Sequence, residues 1–183
     1  MSSPGDRSKT ALLVIDVQTA VVEHAHERDA VIANINALID RARAAEAPVV
    51  WVQHADDDLP TGAPGWEMAS ELVPDSDEPI VHKQFRSSFE QTELDDVLTS
   101  LDVGRLVVTG AQTDYCVRWT LHGALDHGYD TVLVTDAHTT DDPPNSTTPL
   151  AAQLIAHTNA VWATQAVTRC ETATAATSEI SFA

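Results

Sequence analysis

Three residues of this 183-residue chain could act together on a carbonyl carbon: Asp16, Lys83 and Cys116. Cys116 follows the polar turn Gly110-Ala111-Gln112-Thr113-Asp114-Tyr115 and opens an apolar stretch through Val117, Trp119 and Leu121. That pattern reads as a thiol at a helix N-terminus, where the dipole lowers its pKa and favours the reactive thiolate. Free amides of the same turn could receive a developing oxyanion. Asp16 ends the apolar run Ala11-Leu12-Leu13-Val14-Ile15. Partial desolvation there would raise its pKa and suit it to take a proton from a thiol. Lys83 follows Pro79-Ile80-Val81-His82 and could stabilise a thiolate or a charged intermediate. Taken singly, each has a plainer reading: a buried structural cysteine, a turn or capping aspartate, a surface lysine.

The elements that must position these residues alternate short apolar runs with amphipathic ones. Strands are expected at residues 11–15, 49–52, 79–82, 105–109 and 131–134, with a last one at 166–168. Helices are expected from about Asp29 to Ala45, from a cap at Thr92 to Leu101, from Tyr115 and Cys116 to His127 with Gly128 as the stop, and from Pro149 to Ala160. Residues 55–79, rich in Asp, Pro and Gly, read as loop with one short helix near Trp66 to Leu72. The alternation predicts an α/β fold: three layers, α/β/α, around a mostly parallel, roughly six-stranded, doubly wound sheet. No repeat or linker divides the chain, so residues 1–183 read as a single domain with peripheral tails at 1–9 and 171–183. In such sheets ligands sit beyond the carboxyl ends of the strands. Asp16, Lys83, the Gly110–Cys116 segment and Asp136 all fall there.

The bulk properties exclude several partners. A formal net charge of −18 repels a phosphate backbone and an anionic membrane surface. No run is long and apolar enough to span a bilayer, and residues 1–9 lack the apolar core of a signal peptide. Two cysteines, Cys116 and Cys170, make no disulfide scaffold. A cytoplasmic, reducing compartment is therefore expected. The expected partner is a small molecule.

Taken in order, the segments resemble the isochorismatase-like cysteine hydrolase superfamily, which includes nicotinamidases and N-carbamoylsarcosine amidases. The resemblance covers nearly the whole chain. It rests on Ala11-Leu12-Leu13-Val14-Ile15-Asp16-Val17-Gln18, on Lys83-Gln84-Phe85-Arg86-Ser87-Ser88-Phe89, on Gly110-Ala111-Gln112-Thr113-Asp114-Tyr115-Cys116-Val117 and on Val134-Thr135-Asp136-Ala137. It implies Asp16 as general base, Lys83 as supporting cation and Cys116 as nucleophile. It also implies a non-proline cis peptide between Ala111 and Gln112, with the amides of Gln112 and Cys116 aimed at the oxyanion. The implied reaction is cleavage of a small-molecule amide or related carbonyl C–N bond through a Cys116 thioester, by a homo-oligomer. Gln18, His54, Phe85 and Tyr115 are expected around the substrate.

The sequence departs from two members of that superfamily. Nicotinamidases carry an Asp-x-His metal site with a second histidine. Here the region reads Gln53-His54-Ala55-Asp56-Asp57-Asp58-Leu59-Pro60, and no metal or other cofactor is expected. Isochorismatase proper often lacks the cysteine that is present here. Both remain alternatives, as does a different class, a redox-sensing or non-catalytic thiol protein.

Overall fold

A computed structural model of the chain describes residues 4–143 and 148–182. The apolar run expected first forms the middle of β1 (Lys9–Ile15), and its five side chains are fully buried. A strand so apolar needs cover on both faces, and β1 has it. Leu12 and Val14 pack with Ile35 and Leu38 of α2 (Arg28–Ala44). Leu13 and Ile15 point the other way. They join Leu94 and Leu98 of α3 (Leu94–Ser100) and Leu121 of α4 (Arg118–His127). Period-two alternation along one strand therefore seeds two separate cores.

Five further strands complete one sheet: β2 (Val49–His54), β3 (Ile80–Lys83), β4 (Val103–Ala111), β5 (Asp130–Thr139) and β6 (Thr172–Ala175). Their order is β3-β2-β1-β4-β5-β6, and every pair is parallel. The sheet winds outward in both directions from the β1/β4 pair, which is the topological switch point of a doubly wound fold. A short α1 (Thr19–Val22) follows β1, and α5 (Ala151–Ala163) carries Trp162 into the second core.

Three expectations are corrected. The last strand is Thr172–Ala175, not residues 166–168, so the segment expected as a peripheral tail supplies a sheet edge. Its small, half-buried Thr and Ala side chains lack the apolar run that marks inner strands. Beyond it, Thr177 donates to Asp136 Oδ1 at 2.7 Å and Ile180 enters the α2 core, both also within the expected tail. At the other end, residues 4–9 are tied in as well: Lys9 starts β1 and Arg7 donates to Tyr129 Oη at 2.8 Å. Residues 1–3 and 183 lie outside the described residues. Finally, Trp66 to Leu72 forms no helix; it is irregular, with Met68 bridging Gln18 and with Ala69 and Leu72 buried.

Candidate active site

The carboxyl ends of β1, β3 and β4 deliver one charged or nucleophilic group each. Asp16 immediately follows β1 with φ +50°, a left-handed conformation that Asp tolerates better than most residues. Its N–H donates to Val52 O at 2.9 Å, and the residue is 1% exposed. Lys83 is the last residue of β3, two strands from β1, roughly 10 Å at ordinary strand spacing. Only a long side chain closes that gap, and Lys83 Nζ reaches Asp16 Oδ2 at 2.6 Å.

Cys116 enters from the other side of the switch point. After β4 the chain makes a single π-helical turn, Thr113–Val117, before α4 begins. The helix expected to start at Tyr115 and Cys116 is therefore wider in its first turn. Lys83 Nζ donates to Cys116 Sγ at 3.2 Å and to Phe85 O at 3.1 Å. Gly110 permits this approach. Its φ is +118°, and a Cβ there would stand 2.1 Å from Ile15 O. The Ala111–Gln112 peptide is cis.

The electrostatics correct one expectation and agree with another. Burial pushes the Asp16 pKa up, against the pull of the Lys83 charge, the direction expected from sequence. Cys116 was expected to be acidified by a helix dipole. Instead its pKa is pushed up to about 12, first by burial and then by the Asp16 charge, with Lys83 only partly offsetting them. Lys83 is itself desolvated, but the charges of Asp16 and Cys116 raise its pKa overall. At neutral pH Lys83 therefore keeps its charge and Cys116 its proton, and the three groups titrate as a coupled set.

The four residues expected around the substrate are placed unequally. Gln18 is fully buried, with its amide committed to backbone: Nε2 donates to His54 O and Trp66 O at 2.9 and 2.8 Å, and Oε1 accepts from His54 N–H at 2.8 Å. His54 is held between Asp56 and Lys83. Phe85 and Tyr115 are exposed, with the Arg86 guanidinium stacked 4.7 Å from the Tyr115 ring centroid. Gln112 turns its side chain back to donate to Val21 O at 3.3 Å. A cavity of about 320 Å³ opens beside Lys83, lined by Ala55, Thr61, His82, Gln84, Phe85 and Gln91. A larger one, about 470 Å³, lies at the opposite edge, against the starts of β1 and β2. Its Arg43, Asp75 and Glu78 pair with one another and offer no nucleophile. Among the described residues no three His, Cys, Asp or Glu side chains are grouped to hold a metal.

Sequence reasoning missed His138. It is buried at the carboxyl end of β5, with Nδ1 2.8 Å from Thr113 Oγ1 and Nε2 2.9 Å from Asn159 Oδ1. Because the Asn159 amide donates to Thr135 O, its oxygen must accept from His138 Nε2–H. Nδ1 then accepts from the Thr113 hydroxyl, which ties the turn carrying Cys116 to β5 and α5. A histidine two residues after Asp136 was the available signal.

Fold and site define a doubly wound α/β protein in which a carboxylate, an ammonium and a thiol meet at the switch point. Residues 10–166 match the isochorismatase domain. The chain belongs to the isochorismatase family. It is 39% identical over 144 residues to streptothricin hydrolase of Streptomyces noursei, a match covering 75% of the chain and 57% of that enzyme. The chain thus spans little more than half the length of that relative. It is 28% identical over 170 residues to ureidoacrylate amidohydrolase RutB of an Enterobacter species, covering 70% of the chain and 74% of the relative. Among solved structures, a cysteine hydrolase from Pseudomonas syringae pv. phaseolicola superposes with a TM-score of 0.84 at 26% identity, covering 93% of this chain and 90% of that one.

Proposed function

We propose that the chain is a cysteine hydrolase that cleaves an amide or related carbonyl C–N bond in a small molecule through a thioester on Cys116. One observation carries this reading: Lys83 Nζ stands 2.6 Å from Asp16 Oδ2 and 3.2 Å from Cys116 Sγ at the binding edge of the sheet. The relatives' names, a hydrolase and an amidohydrolase, support the reaction class.

The steps follow from the charges. The thiol proton passes to Asp16 as sulfur attacks the carbonyl carbon, so a free thiolate need not accumulate despite the high thiol pKa. Lys83 stays protonated and compensates the negative charge on sulfur. The amides of Gln112 and Cys116 receive the oxyanion. The tetrahedral intermediate collapses, the C–N bond breaks, and Asp16 returns the proton to the leaving nitrogen. Water then gives its proton to Asp16, attacks the thioester and releases the acid and the thiol.

Cys116→Ala and Cys116→Ser test the assignment. Across a panel of small amides, ureido acids and N-carbamoyl compounds, turnover should fall at least about 1000-fold with the melting temperature preserved. A slow substrate should add its acyl mass to the wild-type peptide containing Cys116. Turnover that survives the loss of the thiol would end this reading.

The sheet and its helices are taken as one catalytic unit acting as a homo-oligomer, supported by exposed apolar side chains on α4 and at α5. A reducing, cytoplasmic setting suits two free thiols, Cys116 and Cys170. No helix among the described residues is long and apolar enough to cross a membrane.

A further inference from the structure

Gln112, whose amide is a proposed oxyanion donor, lies in a short segment that β5 grips at both ends. Gly110 and Ala111 pair with His138 and Thr139 in the parallel ladder. At the other end, the Thr113 hydroxyl donates to Nδ1 of the same His138 at 2.8 Å. The backbone of His138 thus lies beside one end of the segment, and its ring holds the other.

The ladder is interrupted to bring His138 there. Val108 pairs with Leu133 and Gly110 with His138, so residues 134–137 of β5 stand opposite Thr109 alone. A bulge of this kind gives up pairing and re-aims the side chains beside it. This one is pinned. Asn159 Nδ2 donates to Thr135 O at 3.0 Å, and Asn34 Nδ2 donates to Asp136 O at 2.7 Å. Asp136 Oδ1 accepts from the N–H and the hydroxyl of Thr177. Asn159 also accepts from His138 Nε2 at 2.9 Å, so one side chain of α5 fixes both the bulge and the ring. His138 and Thr113 are buried, and both ring nitrogens are taken up by protein. The ring can act on the reaction only through Thr113.

We propose that His138 is a positioning residue for the oxyanion donors: it fixes Thr113, and through Thr113 the direction of the Gln112 and Cys116 N–H groups. This inference rests on reading Cys116 as the nucleophile of an acyl transfer. In that step the C–S bond forms and the carbonyl electron pair moves onto oxygen, where the two amides meet it. Without the Thr113 bond the turn is free to rotate, and its donors are aimed less well. Alkylation of the same sulfur at a saturated carbon forms no oxyanion and does not depend on that aim.

The test compares two rates at Cys116, each read on the peptide that contains it. One is acetylation by p-nitrophenyl acetate, with p-nitrophenolate as the leaving group; the other is alkylation by iodoacetamide. Thr113→Val keeps the side-chain shape and removes the hydroxyl. His138→Gln keeps a polar atom where Nε2 stood and none where Nδ1 stood; His138→Asn does the reverse. Acetylation should fall about 30-fold in Thr113→Val and His138→Gln, less than for loss of a whole oxyanion donor, with alkylation within about threefold of wild type. His138→Asn still accepts from Thr113, so its acetylation should stay within about threefold of wild type although it gives up a hydrogen bond of similar worth. Combining Thr113→Val with His138→Gln should cost no more than about twofold beyond either alone. Acetylation and alkylation that fall together would show a disrupted turn and overturn the proposal. So would acetylation that follows melting temperature across the three single variants, or that is unchanged in Thr113→Val. If the His138 variants do not fold, Thr113→Val decides. The reading of Cys116 fails separately, by a wild-type thiol that alkylates but takes no acetyl group.

Discussion

Asp16 is a buried acid whose pKa stands above its ordinary value of 3.8, and the proposed chemistry needs it ionised. Activity should therefore fall as pH drops through that raised value, placing the acid limb of kcat/KM above 3.8. On the alkaline side the proton must remain on Lys83, whose pKa lies above 10.5, and on a thiol near 12. No alkaline loss is therefore expected below 10.5. A steep loss as pH rises from neutrality to about 9 would show that a group other than Lys83 or Cys116 must stay protonated. The cluster titrates as a coupled set, so the limb belongs to Asp16, Lys83 and Cys116 together. At this scale the sequence was informative about identity and silent about charge state. Each of the three residues closely follows an apolar run, which is legible. That the Cys116 pKa rises depends on how deeply the thiol is buried and on a carboxylate brought from the far end of β1, neither of which a helix start reveals.

The elements explain why the groups meet, and Gly110 is where the fit is tightest. Gly110→Ala would force a Cβ to within 2.1 Å of Ile15 O and would strain a φ of +118°. The expected cost is at least about 2 kcal/mol. Denaturant melts should show the loss, and activity should fall further than stability, because the turn that carries Cys116 starts there. Gly128, at φ +89°, ends α4 without such crowding, so its replacement should cost less. Five of the six strands were legible as apolar runs. β6 was not, because Thr and Ala at a half-covered edge carry little hydrophobic signal. The π-helical turn and the Thr113–His138–Asn159 chain were hidden too, since both depend on contacts between distant segments.

At the scale of the whole molecule, charge and apolar surface oppose each other. Trp119 is 51% exposed, Leu150 54% and Val161 42%, all on or beside α4 and α5. Burying such side chains between copies would favour association, while a net charge of −18 on each copy opposes it. Salt screens the repulsion over a Debye length of roughly 8 Å at 0.15 M. Light scattering should therefore show a homo-oligomer whose dissociation is greatest at low ionic strength. Trp119→Glu should shift the equilibrium further toward the monomer, and a monomer at every salt concentration would contradict the proposal.

The strand order also sets the sequence of events during synthesis. The central strand emerges first, but one of its edges stays open until Val108 arrives to pair with Leu13. A nascent chain that has reached β3 already holds Asp16 and Lys83, yet no thiol and no backstop for β1. Closure of the switch point is a long-range event of the kind that slows folding. Ribosome-bound fragments ending before Val103 should therefore leave the apolar edge of β1 at residues 11–15 unpaired and recruit chaperones. The site itself can exist only after the two halves of the sheet have joined.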